Sequence, residues 1–201
     1  VAERWVQAAM EAKGMTFGTA EEAEEWLAGP AVVIKNIALL ITSLQDIRDY
    51  GVPQLPKPAY TRPDGQVVAP VFPSDGWDGI LFQGFTVEVW MQPGVSLDKL
   101  SENQAAFYRQ KSPTGKVALV LGAGNVSSIG PMDALYKLFA EGQVVILKMN
   151  PVNEYLGPFI DEAFAPLRDR GFFRIVYGGA AEGDYLCNHR LVEEIHITGS
   201  D

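Results

Sequence analysis

The sequence predicts an α/β protein: a Rossmann-like parallel sheet with flanking helices, preceded by an N-terminal helical and β-hairpin region. Three observations carry this. From Lys116 onward, short apolar runs alternate with helical stretches of about 10–15 residues, the texture of strands buried in a parallel sheet. Residues 1–50 space their apolar positions for helices. Residues 51–95 hold seven prolines and a period-two run, which exclude long helices and favour hairpins. The regions divide as 1–115 and 116–201.

Each element has a local reason. Trp5, Val6, Ala9 and Met10 share one helical face, and Gly14 supplies a stop. Thr19 with Glu22 matches a capping box, and Glu21, Glu22, Glu24 and Glu25 read as a solvated acidic helix start. Pro30 opens a third helix to Tyr50, with a stripe of Ile34, Ile37, Ile41, Leu44 and Ile47. Val67–Phe72 and Ile80–Met91 read as strands, the first at a sheet edge because of Pro70. Trp77, Phe82, Phe85 and Trp90 then belong to buried sheet packing. Ser96 starts a helix to Lys111. Strands follow at Val117–Leu121, Gln143–Leu147, Phe172–Val176 and Ile195–Thr198, with helices at Pro131–Ala140, Tyr155–Asp169 and Gly183–His189 between them.

Composition narrows the function. At 201 residues the chain suits one large domain or two small ones. With 47% hydrophobic and 20% charged residues it can bury a core. The net charge is −9, and both regions are acidic, so the basic footprint of a nucleic-acid platform is absent. A single cysteine, Cys187, excludes an internal disulfide framework and suits a reducing cytoplasm. His189 and His196 lack metal-ligand company, so no metal is expected. The most apolar run, 31–44, is broken by Lys35 and Asn36, so no membrane span is expected. A first residue other than Met, and an end directly after a strand, read as a segment of a longer protein.

The chemistry is expected at the carboxyl ends of the parallel strands, where open sheets bind ligands. Four loops fall there: 122–125, 148–151, 177–183 and 198–200, all rich in small or polar residues. The first is a weak dinucleotide fingerprint. Gly122 and Gly124 fit G-x-G, but Ser127 stands where the third glycine belongs and Lys148 replaces the ribose-binding acid.

Another pattern fits better. The segments GAGN (122–125), ILKMNP (146–151), GGAAEG (178–183) and ITGSD (197–201) follow one another, with Lys148 23 residues after Asn125. This order resembles the cofactor-binding half of the aldehyde dehydrogenase superfamily, over residues 116–201. The resemblance implies a cofactor, NAD or NADP, and an aldehyde substrate. It implies an oxyanion-hole amide at Asn125, a lysine for the adenosine ribose at Lys148, a loop for the cofactor at Gly179 and Gly183, and a phosphate-contacting hydroxyl at Ser200. It also implies a homo-oligomer.

Three departures from the family pattern matter. Ala123 and Gly124 replace a proline and a tryptophan, giving a wider loop. Pro151 stands where NAD-preferring members often carry an acid, so NADP should be tolerated. The family's glutamate base and cysteine nucleophile come after the T-G-S strand, so this chain alone is expected to be inactive. Cys187 reads as a small buried hydrophobe. The rivals are a non-catalytic nucleotide-binding or assembly module of the same fold, and an ordinary Rossmann dehydrogenase.

Overall fold

A computed structural model describes residues 1–199. In chain order its elements are α1 (Ala2–Lys13), α2 (Ala20–Ala28), α3 (Pro30–Tyr50), β1 (Tyr60–Thr61), β2 (Val67–Phe72), α4 (Gly76–Leu81), β3 (Val87–Trp90), β4 (Val117–Leu121), α5 (Ile129–Phe139), β5 (Val144–Lys148), α6 (Gly157–Ala163), α7 (Ala165–Arg168), β6 (Phe173–Val176), α8 (Ala180–Cys187) and β7 (Glu194–Ile197). Short 3-10 helices lie at Leu97–Asn103, Ala106–Arg109 and Pro151–Leu156. The chain forms two compact units: Val1–Leu40 with the chain from Lys111 onward, and Ile41–Gln110.

The first unit is the Rossmann-like α/β part. Its four strands are parallel, in the order β6-β5-β4-β7. One sheet face is sealed. Ala118 and Val120 of β4, Val145 and Leu147 of β5 and Phe173 of β6 pack with Ala134 and Leu135 of α5, Ile160 of α6, Phe164 and Trp5. The expectation of cover on both faces holds less well on the side of α8, where Ile195 and Ile197 stay exposed. The reason is length: α8 has only eight residues and spans about 12 Å.

Several local expectations need correction. The buried line of α3 is Val33, Ile37 and Leu40, while Ile34 and Ile41 are exposed. Glu22 reaches back to the N–H of Gly18 (2.7 Å), and Thr19 bonds the Thr16 carbonyl and Glu21, so the capping box does not close. Glu25 is buried against Lys13 instead of solvated. The expected helix 155–169 is a 3-10 turn followed by α6 and α7, and Pro158 and Pro166 each sit in a first turn. The segment Ala20–Tyr50 contains an 18-residue window of mean hydropathy 1.8. By length and composition alone it could cross a membrane, against the expectation of no span.

In the second unit, β1, β2 and β3 pair antiparallel with β2 in the middle. Pro70 therefore sits in a central strand, tolerated because the register shifts between Pro70 and Phe72. The stretch read as one strand from Ile80 splits into α4 and β3, since Asp75 caps a helix by accepting from the Asp78 N–H (2.9 Å). Trp77, Phe82, Phe85 and Trp90 are exposed, Trp77 at 72%, so the buried-packing reading fails for all four. Trp90 instead lies 4.0 Å from the Arg62 guanidinium. The expected helix from Ser96 is two 3-10 turns.

A polar clip closes the start of β7. Buried Lys137 reaches Glu194 (2.5 Å) and Glu141 (2.8 Å), and Gln143 donates to Glu194 (2.7 Å). These bonds pull the Glu194 carboxyl from its ordinary 4.5 to about 2. A lowered folded-state pKa adds stability that is complete above the ordinary value and is lost as pH falls through the folded one. Glu194→Gln is expected to cost about 2 kcal/mol near neutral pH. Urea titrations should show the gap to wild type closing as pH drops from 4.5 toward 2.

Candidate functional site

The sheet order places a switch point between β4 and β7, because the chain runs outward through β5 and β6 and then returns to the other side of β4. Crevices of this kind hold ligands in open parallel sheets. A cleft of about 300 Å³ lies there, lined by Leu121, Gly122, Lys148–Pro151, Gly179, Ala180, Gly183 and Ile197. Its floor depends on Gly122, whose N–H donates to the Lys148 carbonyl (2.8 Å). A Cβ at Gly122 would lie 3.1 Å from that carbonyl oxygen and 3.2 Å from the Asn150 nitrogen, so glycine lets two backbones meet.

Lys148 closes β5 and is only 7% exposed. Its ammonium has no hydrogen-bond or ion-pair partner among the described residues. The ammonium therefore opens onto the cleft, where it is available to a ligand oxygen.

The facing wall is the start of α8. Gly178 adopts φ 121°, where the Glu182 side chain would collide with any Cβ. Its N–H donates to Glu154 (2.7 Å), and the Gly179 N–H donates to Glu182 (2.7 Å). The Glu182 carboxyl is held below the usual carboxylate range, first by its own N–H and that of Gly179, then by the charge of Lys148.

Three of the five site residues read from the sequence, Lys148, Gly179 and Gly183, line this one cleft. Asn125 does not. It is exposed in the bend beyond β4 and is not among the cleft residues. Ser200 lies outside the described residues. The helix after the glycine loop starts at Ala180, earlier than expected, and Cys187 is its last residue. Cys187 is thus half-buried at the helix end that carries the negative pole, far from the environment that activates a thiolate. Among the described residues no group of three or more His, Cys, Asp or Glu could hold a metal.

Sequence reasoning missed Asn153. It is 4% exposed and donates from one Nδ2 to the carbonyls of Ala123 (2.9 Å) and Gly124 (3.2 Å). The available signal was an amide in a 3-10 turn otherwise closed by apolar Leu156. It also missed Gly157, where a Cβ would fall 2.2 Å from the Tyr177 hydroxyl, so the ring can lie on the start of α6.

Fold and cleft together define a Rossmann-like α/β unit with a ligand crevice at its switch point. No known family profile matches the chain. Over 94 residues, 46% of its length, it is 32% identical to 4-trimethylaminobutyraldehyde dehydrogenase of Rattus norvegicus, and to the Mus musculus protein of the same name at the same identity and coverage. The match covers 19% of the length of each of these curated relatives. This distant likeness supports the aldehyde dehydrogenase superfamily, a group of oxidoreductases, and no finer placement.

Asn153→Ala is expected to destabilise the chain by about 1–3 kcal/mol, because two loop carbonyls lose their donor. Hydrogen exchange should speed up at residues 122–125 while the β4 and β5 amides stay protected.

Proposed function

We propose that this chain forms the cofactor-binding portion of an aldehyde dehydrogenase-like oxidoreductase that takes NAD or NADP. The observation that carries the reading is Lys148, whose ammonium has no ion pair among the described residues and which lines one cleft with Gly179, Ala180 and Gly183 of a helix start. The residues fit the group. The Lys148 ammonium would donate to ribose hydroxyls, as a charged donor does most strongly. The positive pole of α8 would favour phosphate oxygens at this wall, with the Gly178 and Gly179 N–H groups already held by Glu154 and Glu182. Gly122 and Gly183 keep the walls free of side chains. The bound nicotinamide would supply the hydride acceptor for aldehyde oxidation.

The remaining roles are read from the family resemblance. Asn125, on its loop pinned by Asn153, would offer an amide to the oxyanion that develops when a cysteine adds to the aldehyde carbon. That cysteine is not Cys187. The 201-residue chain, which carries no other, is therefore expected to form no NADH or NADPH from aldehydes. Assembly into homo-oligomers and a cytoplasmic site belong to the same reading.

The exposure of Asn125 away from the cleft favours a second reading, a nucleotide-binding module without catalysis. The ordinary Rossmann reading has less support. It would place pyrophosphate over Gly122–Gly124, where the Asn150 amide already lies 3.1 Å from the position of a Cβ on Gly124.

Calorimetric titration of the chain with NAD and NADP tests the proposal. At least one nucleotide should bind, and Lys148→Met should weaken it about tenfold or more, the worth of a charged hydrogen bond. The same variant should melt close to wild type, since it keeps the apolar stem and removes an ammonium that makes no ion pair among the described residues. Undiminished binding by Lys148→Met, or no binding by wild type, overturns the reading.

A further inference from the structure

We infer that the first unit holds a second ligand site, a wholly apolar cavity among its helices that takes the end of an unbranched alkyl chain. This site stands apart from the nucleotide reading, because it shares no residue with the cleft at the strand ends.

The cavity forms where helices meet. Trp5 of α1, Val33, Ile34 and Ile37 of α3, Ile160 of α6 and Phe164 at the end of α6 supply most of its wall. Its volume is about 100 Å³, and every lining residue is apolar. Trp5, Val33, Ile160 and Phe164 are buried, whereas Ile34 is 56% exposed, so the space runs from the core to an apolar mouth. The local sequence explains why nothing fills it. Pro30 and Pro131, in the first turns of α3 and α5, line it with short rigid rings, and Ala163 lines it with a single methyl.

Size alone would admit water, since one molecule needs only about 10–15 Å³ of such space. The chemistry does not. A held water needs about two to four polar partners. The single polar side-chain atom in the lining is Trp5 Nε1, which lies beside Gly29, 3.2 Å from where a Cβ there would stand. An empty apolar cavity forfeits dispersion contacts that a fitting apolar guest restores. A cavity of about 150 Å³ admits benzene. This one is smaller, which disfavours a planar ring and favours a slender alkyl end. The exposed mouth at Ile34 leaves a polar end of the same molecule in water.

The test is a methyl NMR titration of the 201-residue chain with straight-chain 1-alcohols from propanol to octanol. Saturable shifts are expected at Val33, Ile37 and Ile160, with the exposed methyls of Ile195 and Ile197 unmoved. Affinity should rise about fourfold with each added methylene, then level off once the cavity is full. Ala163→Leu fills the space and should weaken 1-hexanol at least tenfold. Should melting show that this leucine disturbs the fold, Val33→Phe carries the same expectation. Shifts that grow without saturating, equal shifts at Ile195 and Ile197, or undiminished binding by a folded filling variant overturn the inference.

Discussion

One uncompensated charge organises the site. Lys148 ends a central strand, where main-chain pairing on both sides leaves it little freedom and where burial removes most of its water. Ion pairs elsewhere in this unit are satisfied locally: Lys137 with Glu194 and Glu141, Lys13 with Glu25. Lys148 has no such partner among the described residues and lines the cleft at the strand ends. A ligand that brings oxygen atoms would supply one.

The backbone around it explains why the cleft stays open. Gly122 allows the β4 loop to touch the β5 loop, Gly130 sits 3.3 Å by its would-be Cβ from Leu147, and Gly178 makes way for Glu182. Larger residues at these points would push apart the strand ends that Lys148 and α8 share. Asn153 does the complementary work. It ties down a loop that two glycines would otherwise leave loose, by holding the carbonyls of Ala123 and Gly124.

The sheet and the cleft were legible because their signals are local. Continuous apolar runs such as Val117–Leu121 mark strands buried on both sides, and glycines cluster where such strands end. Periodicity places the loops of Lys148, Gly179 and Gly183 at the strand ends, and the resemblance to the aldehyde dehydrogenase superfamily singles those residues out. The stretch 51–110 was read poorly for a physical reason. Alternation in Phe85–Trp90 reports a strand but not which face is covered, and here the aromatic side chains stay exposed. Asn153 and Glu182 escaped because their roles depend on contacts with main-chain groups 29 and 3 residues away. Nothing in the residue types announces such bonds.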